Sequence, residues 1–358
     1  MNGRNYGIDL LRSVSMLMIV ILHILGVGGV LAATIPGSWG YRGAWLLETV
    51  CMCSVNCFGL VSGYVLSKGR HHYSRLFSLW VRVVLECLVI TAAFALFSRG
   101  SVTGGDWIKA VTPIYHGVYW YFTAYFALFF FVPYINKMIA ALTKREMLVL
   151  AGSIIVLFCL LNNITREEIY SLNAGYSFLW LCCLYVLGAV IRGLDIDDSF
   201  SWLWLLGCFA ASMLLAWVLM LAFQIPRIIS YTSPLVLAAS VSLLLLFRRI
   251  KITGESGKKL VSLLTRTSFG VYIIHTQPLV WGAVLYERFA GFAAAPVYLM
   301  ALWVLLSAIS IYIISTAIDW LAEKLLKLVR LDLAEQKIDI FCDKLTGSRQ
   351  KTQNTSSN

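Results

Sequence analysis

Ten runs of about 20 mostly apolar residues set the terms for this chain, because that is the length of α-helix needed to cross the hydrocarbon core of a bilayer. They are read at 8–31, 45–66, 76–98, 117–136, 146–163, 174–191, 202–223, 231–247, 268–287 and 295–319. The chain has 358 residues, of which 59% are hydrophobic and only 13% charged, so these runs take up most of it. The connections are too short to fold separately. A spanning segment must satisfy its own backbone polar groups, which makes the expected fold all-α, a polytopic membrane protein of about ten transmembrane helices. Residues 1–320 are expected to be one membrane domain, and 321–358 a cytosolic amphipathic helix and a disordered tail. In that tail Leu321, Leu325, Leu328 and Val329 recur at helical spacing against Lys324, Lys327 and Arg330, whereas 350–358 are polar.

The charges orient the helices. With the N-terminus inside, the cytosolic segments collect 22 of the 29 Lys and Arg residues, and six fall outside: Arg42, Arg99, Lys109, Arg166, Arg227 and Arg288. Arg82 lies within a run. That asymmetry is the positive-inside pattern, with both termini cytosolic. The net charge of +11 is thus mainly a topology signal, and no nucleic-acid partner is expected, since that would need a basic face on a soluble fold. The first run is too long for a secretory signal core and carries His23 in its middle, so it reads as a retained helix. The nine cysteines show no paired CxxC spacing; no metal site is expected, and they read as small packing residues. No internal repeat supports an inverted-repeat transporter.

Ionisable groups inside spans are costly and point to function. Arg12 and His23 are eleven residues apart; at ~100° per residue they share a helix face, ~16 Å apart along the axis. Asp9 lies one turn before Arg12, where it can orient the guanidinium. His275 sits inside the ninth run and His116 at the entrance of the fourth, beside Trp120 and Tyr121, two aromatics that also suit an interfacial belt. The loop Ser67–Arg75 carries Lys68, Arg70, His71, His72 and Arg75; it reads as positive-inside charge or as a phosphate site, because clustered Arg binds phosphate oxygens bidentately. Arg82 and Glu86 are spaced to neutralise each other, and Glu48 has no evident partner.

These features resemble the acyltransferase 3 family of bacterial membrane acyltransferases. Ile8-Asp9-Leu10-Leu11-Arg12 followed by His23 is similar to that family's first-helix pattern. Ser54 to Leu66 resembles its second helix, with Asn56 where Pro is usual. His116 to Pro133 resembles its fourth helix, and Gly270-Val271-Tyr272-Ile273-Ile274-His275 its late Gly-x-Tyr-x-x-His. Many members carry Arg-x-x-x-Arg after the second helix; here Arg70 and Arg75 are five apart, so which of Arg70, Arg75 and Arg82 plays that part stays open.

The resemblance implies transfer of an acyl group, most often acetyl, from cytosolic acyl-CoA to a hydroxyl of a surface glycan or its lipid-linked precursor, in the bacterial cytoplasmic membrane. Acyl-CoA is a substrate, and no resident cofactor is expected. Arg12, Arg70 and Arg75, with Asp9 and Arg82, are the candidate donor-binding residues. His23 is the candidate base or acyl carrier. Asn56, Tyr272 and His275 are candidate oxyanion donors, and His116, Trp120 and Tyr121 candidate acceptor contacts. A transporter or flippase would use the same buried polar groups without chemistry, but does not need the Arg12–His23 stack beside a basic loop. Reporter fusions at Asn2, Lys144, Ser256 and Asn358 should report cytosol, and fusions at Gly104 and Thr165 the outside. A C-terminus found outside would remove the ten-helix arrangement.

Overall fold

The computed structural model describes residues 4–69, 71–98, 100–165, 168–196, 199–328 and 331–345. Arg70, Val329, Arg330 and the tail from residue 346 onward lie outside them. The described residues contain no strand. The main helices are α1 (Tyr6–Leu25), α2 (Trp39–Cys51), α3 (Ser54–Leu66), α4 (Ser74–Phe97), α5 (Trp120–Ala141), α6 (Lys144–Ile154), α7 (Phe178–Leu194), α8 (Trp202–Phe223), α9 (Pro234–Arg248), α10 (Glu255–Thr276), α11 (Val297–Leu328) and α12 (Leu331–Leu345).

Eight helices among the described residues are long and apolar enough to cross a membrane. The protein is therefore an all-α polytopic membrane protein, and eight of the ten expected runs form helices of that length among the described residues. The two remaining runs differ for physical reasons. Helix α7 is apolar but only 17 residues long. The run read at 268–287 is not one helix: α10 starts earlier, among charged residues such as Lys258 and Lys259, and stops at Thr276. Pro278 lacks an N–H and drives Gln277 into an extended conformation (ψ 132°). At the other end, α11 runs on to Leu328, past the expected boundary at 320, because nothing between Val297 and Leu328 breaks a helix.

The spans form an inner and an outer set. The most apolar windows of α1, of α2 with α3, and of the segment Pro226–Arg248 are 72%, 78% and 72% buried in protein. Those of α4, α5, Lys144–Ile164, α8 and α11 are 22–28% buried. The outer set turns large apolar side chains outward, among them Phe97, Val149, Leu203, Trp204, Ile313 and Ile314. Such a surface is stable only against lipid. Helix α1 stands inside, packed on α2, α3, α9, α10 and α11.

Lipid tails supply no hydrophobic drive between helices, so close packing and interhelical hydrogen bonds hold the bundle together. The tightest seam joins α3 and α7. A Cβ on Gly63 would run into the backbone of Tyr185, and one on Gly188 into the backbone of Leu60. Asn136 of α5 donates to the Leu66 carbonyl at 3.0 Å and accepts from the Tyr185 hydroxyl at 2.9 Å, closing the seam at one end. Overpacking costs about 1–3 kcal/mol in a well-filled interior. Gly188→Ala should therefore lower the thermal unfolding midpoint in detergent. Gly152→Ala, on α6 with open space around it, should leave the midpoint unchanged or raise it.

Candidate active site

Helix α1 organises the site. Asn5 caps it by accepting from the Ile8 N–H (3.1 Å) and ties its start to the end of α9 by donating to the Arg248 carbonyl (2.9 Å). Asp9, 7% exposed, is held by Arg4 at 2.5 Å and lies 3.9 Å from Arg12. The Asp9 carbonyl accepts from Thr265 of α10 at 2.7 Å. The bonds to Arg248 and from Thr265 fix the register of α1 against α9 and α10, and so fix where its polar face points.

At this end of the bundle lies a cavity of about 850 Å³ lined by Arg4, Arg12, Lys68, Arg192, Arg248, Arg249 and Lys251, with Asp9 as the one carboxylate among the described residues of its wall. The cations come from α1 and the residue Arg4 before it, the loop after α3, the end of α7, and the end of α9 with the residues that follow it. Arg192 is steadied by the Tyr64 hydroxyl at 3.0 Å and by the face of the same ring. Such an excess of guanidinium and ammonium groups, converging on one recess, suits an anion with several phosphate groups.

The face of α1 that starts at Arg12 continues through Met16 and Ile19 to His23. These last three, with Leu22, line a second cavity, small at about 70 Å³ and almost wholly aromatic elsewhere: Phe58, Trp120, Tyr121, Tyr176, Tyr231, Phe269 and Tyr272. Trp120, Tyr176 and Tyr231 form a cluster of their own, with Trp120 and Tyr176 at 4.8 Å and Tyr176 and Tyr231 at 4.9 Å between ring centres. His23 keeps some accessible surface here. Its Nδ1 is 2.9 Å from Nε2 of His275, and its ring packs edge to face with Trp281, 4.9 Å between ring centres. His275 is 1% exposed, and its Nδ1 lies 2.5 Å from the Val271 carbonyl one turn back.

The structure thus brings together Asp9 and Arg12 at the basic cavity, and His23, Trp120, Tyr121 and Tyr272 at the aromatic one, with His275 directly behind His23. The other candidates stand elsewhere. Asn56 is wholly buried, donating to the Tyr231 carbonyl at 2.8 Å and accepting from the Trp180 indole at 3.1 Å. Its amide is spent on holding the aromatic wall and does not face the cavity. His116 is exposed and bonds to Thr112. Arg82 pairs with Glu86 at 3.0 Å and with Asp319, joining α4 to α11 away from both cavities. Arg75 is exposed on α4, close enough to Tyr125 to act on it electrostatically, as Arg12 also is. Arg70 lies outside the described residues.

The loop before α4 is less cationic than its sequence suggests. His71 packs against Phe129 at 4.3 Å; burial, with the charges of His72 and Arg75 beside it, pushes its pKa down to about 4, so it is neutral near pH 7. The same loop is covered by α12. Asp339 Oδ1 accepts from the Ser74 N–H (3.1 Å), and Oδ2 accepts from the Ser74 hydroxyl (2.9 Å) and lies 3.2 Å from Nδ1 of His72. Burial pushes the Asp339 carboxyl up, but these bonds outweigh it and hold the pKa below its ordinary value.

Sequence reasoning missed Tyr176, Tyr231 and Trp281, as well as the gathering of Arg192, Arg248 and Arg249 beside Arg12. None carries a local signal; each reaches the site only through helix packing.

A family model described as an acyltransferase domain covers residues 5–320. No curated protein and no solved structure matches the chain.

Proposed function

The chain belongs to the acyltransferase 3 family and is a membrane acyltransferase, and from that premise we propose that it transfers a short acyl group, in the first place acetyl, from acyl-CoA to a hydroxyl of a cell-surface glycan or its lipid-linked precursor. The observation that carries this reading is the pair of cavities strung along one face of α1, with cations at Arg12 and an imidazole at His23. Coenzyme A is a phosphate-rich head on a long flexible arm that ends in a thioester. The head pairs with Arg12, Lys68, Arg248 and Arg249, and the arm follows Met16 and Ile19 toward His23. The small aromatic cavity suits an acyl group of few carbons. The faces of Trp120, Tyr176 and Tyr231 offer a sugar ring apolar surfaces to stack on. The basic end faces the cytosol of a bacterial cell, where acyl-CoA is made, and the acceptor approaches from the aromatic side.

In the transfer, the acceptor oxygen forms a bond to the thioester carbonyl carbon as its proton passes to His23. The C–S bond breaks, and the thiolate takes the proton to leave as free coenzyme A. An acyl-His23 intermediate divides the same balance into two steps. In both routes the imidazole must be neutral when it acts.

Purified protein in lipid, given labelled acetyl-CoA and lipid-linked glycan, tests this directly. His23→Ala should lose transfer by ~10²–10⁴-fold while donor binding is retained, and His23→Gln should fail as well, because an amide cannot take the proton. Wild-type turnover in both variants would overturn the reading. Arg12→Ala should lower donor affinity instead. With a charged hydrogen bond contributing ~1.5–3 kcal/mol, the fall is roughly ten- to a hundred-fold, and unchanged affinity would take Arg12 out of the donor site.

A further inference from the structure

The two imidazoles form a directed chain, and its direction can be read from its far end. The Val271 carbonyl can only accept, so Nδ1 of His275, 2.5 Å away, carries a proton and donates it. A neutral His275 then has its lone pair on Nε2. Nε2 is 2.9 Å from Nδ1 of His23, so this nitrogen of His23 must be the donor. The remaining nitrogen of His23, Nε2, makes no hydrogen bond among the described residues and is left as the lone-pair atom of a residue that lines the aromatic cavity.

We propose that His275 is a positioning residue that fixes the tautomer of His23, so that Nε2 of His23, and not Nδ1, meets the acceptor hydroxyl or the acyl carbon. This rests on the role given to His23 above and goes beyond it by naming the reacting atom and the group that selects it. The surroundings suit such a part. His275 is held by its own helix one turn back and is almost without accessible surface, so its ring cannot turn over to present the other nitrogen. The ring of Trp281 also packs against that of His23, edge to face. Trp281 arrives there because α10 ends at Thr276 and Gln277 caps the short turn that follows, accepting from the Leu279 and Val280 N–H groups at 2.7 and 3.1 Å.

The reaction balance follows from this arrangement. The acceptor proton moves to Nε2 of His23 as its oxygen bonds to the acyl carbon and the C–S bond breaks. The Nδ1 proton never leaves its bond to His275, whose lone pair stabilises the imidazolium while it lasts. The Nε2 proton is then handed to the thiolate. His275 touches neither substrate, and with Val271 on one nitrogen and His23 on the other it has no donor left for an oxyanion.

The test uses full-length protein in lipid nanodiscs. His275→Leu removes the acceptor, whereas His275→Gln offers a side-chain oxygen that can accept from Nδ1 of His23. The Leu variant should lose kcat by ~10²–10⁴-fold, the range for a misdirected catalytic imidazole, with donor KM within about threefold of wild type. The Gln variant should recover at least tenfold of that loss. Equal defects in both variants, or wild-type kcat in the Leu variant, would overturn the proposal. Should either variant lose its fold, ¹⁵N-imidazole NMR of the wild-type protein gives a second reading, with the proton on Nδ1 of His23 expected and a proton on Nε2 of the neutral ring overturning it. His23→Ala run in parallel separates the two levels. Full activity there removes the role of His23 itself, whereas an inactive His23→Ala beside a fully active His275→Leu removes only the part given to His275.

Discussion

Water is absent from most of the layer this protein occupies, so a polar side chain there must be answered by another part of the chain. That requirement explains the polar interior better than any preference for particular residues. Asn56 is answered by Trp180 and Tyr231, Arg82 by Glu86 and Asp319, and His275 by Val271 and His23. Each answer comes at least in part from a different segment, which makes satisfying one group the same event as docking two helices. What the fold leaves open is informative: cations line a wide recess at one end of α1, and Nε2 of His23 makes no hydrogen bond among the described residues.

The two cavities divide the problem of handling a large polar molecule in a thin apolar layer. The wide recess sits where the chain carries its positive charge and needs little shielding. The narrow one is built from rings, which exclude water and still present flat faces and a few hydroxyls. Along α1 the change from one to the other takes a single turn, from Arg12 to Met16. An imidazole at the inner end therefore works in a drier medium than the charges that guide a substrate toward it, and its hydrogen bond to His275 is correspondingly stronger than the same contact in water.

Much of this was legible in the sequence, though unevenly. The all-helical membrane fold was visible because apolar length is a local property, and the shared face of Arg12 and His23 because helical periodicity is local as well. Pro278 was a visible helix breaker, yet the run at 268–287 was apolar enough to hide the break, and the charged first half of α10 kept its true start out of sight. The partnership of His23 with His275 joins residues 252 apart, and no spacing rule reports on that. Asn56 illustrates the reverse error: a polar residue in an apolar run suggested chemistry, whereas packing gives it a structural part. Tyr176 and Tyr231 lie in connections between helices, where aromatic residues are common, and only the fold draws them up to Trp120.

The cap on α4 has a consequence for how the molecule is made. Helix α4 has no capping side chain of its own; the first N–H is met by Asp339, which lies 265 residues further along. Synthesis proceeds at about 5–20 residues per second, so α4 enters the membrane roughly 15–50 s before its cap exists. For that interval its inner end is held by membrane and water alone. The last described helix is thus also the piece that completes an early one, long after that earlier helix has been made.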